Sequence, residues 1–228
     1  MSEFEFVSPE KLEKCYDAWK AIMAKRQADP NEPLSFHSGV VFEEEGYKFD
    51  IIKQGKEIVG RFDWSAPRII GSGKIVQMAL ELLAIRPNHG DQQNLVDYRD
   101  IMYLADQAYS NKLKNIEKAL YLLYADGNEK DAFNLLAHTL TKKYALISYF
   151  FFLKNSDVYQ VVRPNNFAER FPLFGADHKY ALNCSWDNYH RYMGVLNDVK
   201  KYLEKRHSGI TLTDAHSFVW MLWMLSNK

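Results

Sequence analysis

The sequence predicts an α+β protein, mostly α, with a helical bundle-like core and a small antiparallel β element in its N-terminal third. Three observations carry this. From residue 73 onward, apolar residues recur at three- and four-residue spacing, the signature of helices that bury one face. The run YALISYFFFLK is apolar on every side yet too short to span a bilayer, so it reads as a helix buried all round. Between them and the N-terminus, LSFHSGVVFEEEGYKFDIIKQGKEIVGRF changes texture to short β-rich runs divided by Glu-Gly and Gln-Gly turn signals.

In chain order, Ser8-Pro9-Glu10 followed by Leu12, Cys15, Trp19, Ile22 and Met23 predicts a capped amphipathic helix with proline in its first turn. Strands are expected at 39–43, 47–52 and 57–62, although FDIIKQGKEIVG also fits a helix that tolerates Gly55. Helices follow at 73–85, 91–108, 111–125, 128–138 and 142–154, with Asp126-Gly127-Asn128 as a clear break. The stretch from Asn155 is irregular and rich in aromatics, with Pro164, Pro172 and Gly175 as breakers. Two last helices are expected at 185–205 and 212–225. The length suits one large domain or two small ones, divided here as 1–65 and 66–228 or continuous.

Composition narrows the function. Lys plus Arg equals Asp plus Glu, 29 each, so no global field draws the chain to nucleic acid or to an anionic membrane. Residues 1–60 carry 12 acidic and 8 basic side chains and the remainder 17 and 21, a mild asymmetry of −4 against +4. Cys15 and Cys184 lie far apart without metal-type spacing and read as buried thiols. The acidic MSEFEFVSPE lacks the pattern of a secretory leader, and no apolar window reaches membrane length, so a cytoplasmic chain is expected.

Gly71-Ser72-Gly73-Lys74 raises the question of a phosphate loop. Such a loop needs a glycine where Arg68 stands and a Ser or Thr where Ile75 stands, so both outer requirements fail. Two readings remain: Ser72 caps the helix that follows, or Arg68, Gly71, Ser72, Gly73 and Lys74 hold an anion such as a nucleic-acid phosphate at that helix start. No catalytic set is visible. The seven histidines show no zinc-hydrolase spacing, and no nucleophile elbow is present. Asp214-Ala215-His216 reads as a helix start with Thr213 or Asp214 as cap, and Glu43-Glu44-Glu45 as a solvated face. No acid is placed to make Cys184 a nucleophile with His178 or His190. The recognition candidates are Arg163, Asn165, Trp186, Asn188 and Tyr189: Asn and Arg read base edges, and Trp and Tyr stack on bases or anchor a protein partner. The competing reading places Trp186 and Tyr189 in the core.

The phrases YKFDIIKQG, IIGSGKIVQMALE, QNLVDYRD, ALISYFFFLKNSDVYQVVRPNNFAERFPLFG, CSWDNYHRYMGVLNDVKKYLE and LTDAHSFVWML, in this order, resemble the N-terminal module of bacterial restriction- and defence-type proteins, where it often precedes an HNH-type nuclease. The resemblance covers roughly residues 46–225. It singles out Gly71, Ser72, Gly73, Lys74, Asn94, Arg163, Trp186, Asn188, Tyr189, Asp214 and His216 without implying a role for any. No nuclease segment follows in this sequence. What the resemblance implies is a non-catalytic recognition or regulatory module of a restriction/defence-type system, binding DNA or a partner protein; from the residues themselves, no cofactor, no metal and no membrane are expected. The alternatives are a phage- or plasmid-encoded inhibitor of a host defence nuclease, and an enzyme whose site is assembled from scattered residues.

Overall fold

The computed structural model describes residues 3–27, 29, 33–65, 69–87 and 95–225. The described residues form helices and turns, with no strand among them. The α-helices are α1 (Pro9–Ala24), α2 (Gly39–Glu45), α3 (Tyr47–Gly60), α4 (Lys74–Leu83), α5 (Tyr98–Tyr109), α6 (Leu113–Tyr124), α7 (Glu129–Thr139), α8 (Tyr144–Lys154), α9 (Pro164–Arg170), α10 (Lys179–Leu182), α11 (Trp186–Glu204) and α12 (Leu212–Met221). Short 3-10 turns follow α9 at Phe171–Phe174 and α12 at Leu222–Leu225.

The expected β element is therefore overturned: α2 and α3 occupy its place. The physical reason lies in the burial pattern of α3, where Lys48, Ile51, Gly55 and Ile58 turn inward at helical spacing instead of alternating. Gly55 is not a turn residue. A Cβ there would lie 2.6 Å from Leu153 Cδ2, so glycine lets α3 lie close against α8. The segment after Asn155, expected to be irregular, contains α9, a 3-10 turn and the short α10. In the Glu43–Glu45 run, only Glu43 is fully on the surface; Glu44 pairs with Arg26 and Glu45 is buried.

The chain divides into two compact units. One comprises residues 1–47, 162–183 and 187–228. Ser8 caps α1 as expected, accepting from Lys11 N–H, and Pro9 opens the first turn. Trp19 is wholly buried, stacked on Phe36 with centroids 5.6 Å apart and meeting Phe218 edge-on. The buried Asp198 carboxylate accepts the N–H groups of Glu5 and Phe6 at 2.9 and 2.7 Å, tying the N-terminal segment to α11. α12 starts with a capping box between Thr211 and Asp214, so the cap is Thr211 and neither Thr213 nor Asp214.

The other unit comprises residues 48–161 and 184–186. Its α8 is buried all round as expected, with residues 149–153 at most 2% exposed. Polar tips inside this core find backbone partners: Tyr149 donates to Leu82 C=O and Tyr124 to Phe150 C=O, both at 2.9 Å. Glu129, at the start of α7, accepts from Lys154 at 2.8 Å and from Tyr159 at 2.5 Å, linking it to the end of α8. Among the described residues, no helix is long and apolar enough to cross a membrane.

Candidate functional site

The start of α4 is built around an anion supplied by the chain itself. α6 has the pattern Leu113, Ile116, Glu117, Leu120 and Leu123, which puts Glu117 on the apolar stripe. Glu117 is wholly buried there, and its carboxylate reaches the first turn of α4. Oε2 accepts Gly71 N–H at 2.5 Å, and Oε1 accepts Ile75 N–H at 2.9 Å and Val76 N–H at 3.3 Å. The amides and the dipole of a helix start attract negative charge, and here a side chain takes three of the amides around that start. The N-cap position is held by Gly73, with no side-chain cap of its own. Ser72, expected as the cap, instead donates to Ile69 C=O at 2.6 Å and accepts Lys74 N–H at 3.3 Å. Gly71 and Gly73 have φ of +93° and +84° with open space around each, so both are needed for backbone conformation and not for close approach.

Beside this carboxylate-filled helix start lies a groove of about 450 Å3 between α4, α5 and the beginning of α6. Apolar side chains of Val76, Leu80, Ala105, Ala108 and Leu113 line it, with Ser72, Gly73, Lys74, Gln77 and Tyr109 as its polar and aromatic part. Its size falls among small-ligand and peptide sites. Among the described residues, no carboxylate lines it and the Lys74 ammonium forms no ion pair. Tyr109, which lines the groove, is 91% exposed, and at helical spacing on the same face of α5 Tyr98 and Met102 are 69% and 46% exposed. α5 is thus apolar on two sides, since Leu104 is wholly buried on the other. This outer stripe is not among the expected sites, although Tyr98, Met102 and Tyr109 stand at i, i+4 and i+11.

The remaining candidates do not gather into one site. Trp186 is half-buried and packs against Phe133, Phe151 and Tyr159 of the second unit at 5.7, 5.9 and 6.5 Å. Tyr189 is wholly buried in the first unit. Arg163 lies over the Trp220 ring at 6.0 Å, with the buried Arg170 over the same ring at 5.6 Å. Asn165 is exposed at the start of α9, and Asn188 is half-buried on α11. His216 is buried against Phe167, with ring centroids 4.8 Å apart. Asp214 Oδ2 pairs with His37 Nε2 at 3.1 Å while accepting from Thr211 N–H and Oγ1–H. Arg68 and Asn94 lie outside the described residues.

Burial pushes the Cys184 thiol up to about 12 and raises that of Cys15, which leaves both protonated and poorly nucleophilic near neutral pH. Among the described residues, no group of three or more His, Cys, Asp or Glu side chains is placed to hold a metal ion. Comparison with protein-family models, curated proteins and solved structures finds no match for this chain.

Proposed function

We infer that the chain is a non-catalytic recognition module of a restriction/defence-type system that binds a partner protein through the α4–α5 groove. The observation that carries this reading is the exposed Tyr98–Met102–Tyr109 stripe running into a preformed apolar groove. Tyr and Met are residue types that interfaces favour, and contiguous exposed apolar surface commonly marks a contact site. Partner protein is favoured over DNA because Glu117 already takes the amides of Gly71, Ile75 and Val76. Of the base-stacking candidates, Tyr189 is wholly buried, and the half-buried Trp186 packs on Phe133 and Phe151. The neutral overall charge fits a protein partner equally well. The defence-type context rests on the sequence resemblance alone.

The test is affinity capture from producing cells with tagged wild type, Met102→Asp and Leu182→Asp, the last altering an exposed leucine outside the groove. A partner retained by wild type and Leu182→Asp and lost from Met102→Asp supports the reading. Mobility shift with short duplex DNA at low salt is the counter-test. Retardation that weakens steeply with salt, by about one power of salt concentration per phosphate contacted, contradicts it.

A further inference from the structure

We propose that the occupant of the α4–α5 groove is an amphipathic helix of the partner that carries an acidic residue at the end of its apolar stripe. This rests on the protein-recognition reading above and specifies the chemistry of its partner.

The stripe on α5 runs from Tyr98 to Tyr109, about 16 Å at the rise of an α-helix, or about three turns. A partner helix laid alongside would present apolar residues at i, i+4, i+7 and i+11 to match it. Charge fixes which end is which. Lys74 and Tyr109 line the same groove, so Lys74, which has no ion pair among the described residues, lies at the Tyr109 end of the stripe. Lys112 and Lys114, next to Leu113 in sequence, do not line the groove, so Lys74 is the charged group among its described lining residues. Glu117, a carboxylate close by in sequence, is buried on the α4 amides, and the exposed Asp106 of α5 does not line the groove. Opposite Lys74, a partner carboxylate gains an ion pair and a lysine meets repulsion, so the groove selects by sign as well as by shape.

The probe is a fluorescein-labelled helical peptide of about five turns, with leucines at i, i+4, i+7 and i+11 followed by a pair of glutamates, and its counterpart with lysines there. Fluorescence anisotropy is measured against wild type, Lys74→Glu, Met102→Asp and the control Leu182→Asp, each checked by circular dichroism for unchanged helicity. The expected result is saturable binding of the acidic peptide to wild type and Leu182→Asp, about tenfold weaker binding of the basic one, and reversal of that preference in Lys74→Glu. Met102→Asp should bind neither. Equal affinity for both peptides, no binding of either, or undiminished binding to Met102→Asp overturns the proposal. So does sedimentation showing that the wild type covers this stripe in a dimer of its own that Met102→Asp dissolves. A partner captured through Met102 without any peptide preference sinks the acidic-helix proposal alone, whereas salt-sensitive retardation of DNA sinks the protein-recognition reading beneath it.

Discussion

The wholly buried carboxylate of Glu117 accepts the N–H of Ile75 at 2.9 Å, across 42 residues of sequence. This contact joins the middle of one helix to the start of another and fills with the chain's own charge the position where Gly71-Ser72-Gly73-Lys74 suggests a phosphate. Replacing Glu117 with Ala removes a charged acceptor and leaves N–H groups of Gly71, Ile75 and Val76 without it, at a cost of about 3 kcal/mol. Glu117→Gln, which keeps one acceptor oxygen, should cost less. Lys74→Ala, on the surface, should change stability by less than about 0.5 kcal/mol. Equilibrium urea unfolding of the variants checks the order.

Gly55→Ala distinguishes the two readings of its segment. In a free helix the change favours folding by about 1 kcal/mol. Against Leu153 the new methyl has no room and should instead destabilise by about 2 kcal/mol. Leu153→Ala in the same chain opens the space, so the double variant should lose less than the sum of the single changes. Strict additivity in thermal or urea unfolding would show that the two residues do not touch.

Much of the fold was legible because its signals are local. Ser8-Pro9 caps α1, Asp126-Gly127-Asn128 separates α6 from α7, and the uninterrupted apolar run of α8 is buried. The 39–62 region differs because Val40, Val41, Phe42 and the Gly-containing pairs favour strands locally, while the close approach that uses Gly55 is to Leu153, far away in sequence. The same distance hid the role of Glu117. Its position on an apolar stripe was readable, but its acceptor role depends on Gly71 and Ile75 being brought to it. The α5 stripe was obscured because a tyrosine in sequence says nothing about whether it faces in or out.

Acid should loosen the first unit through His207. Burial, the main cause, holds this imidazole below its ordinary value of 6.5, so the folded chain takes the proton less readily than the unfolded chain. Its contribution is present above about pH 6.5 and is lost as pH falls from there through the lower folded value. His207→Gln should flatten the fall of the melting temperature below that point. Tyr16, which pairs with His207 Nε2 at 2.9 Å, keeps a polar partner in that variant. An unchanged pH profile would remove His207 from the account.

Cys184 should resist alkylation. With its thiol pushed up to about 12, iodoacetamide near pH 8 should label it slowly in the native chain and rapidly after unfolding in urea. Mass spectrometry of timed samples measures both rates. Fast native labelling would mean that Cys184 is a reactive group after all.

The most direct test of the central claim, that the α4–α5 groove recognises protein while Glu117 keeps phosphate out, is an amide chemical-shift map of the 15N-labelled chain. It is titrated in turn with ATP and magnesium, short duplex DNA, and the acidic amphipathic peptide. Saturable shifts are expected at Gly73, Lys74, Gln77, Ala105, Ala108 and Tyr109 with the peptide, and none at Gly71, Ile75 or Val76 with ATP or DNA. Saturable movement of the Gly71 and Ile75 amides with either phosphate ligand, and a groove indifferent to the peptide, would contradict it.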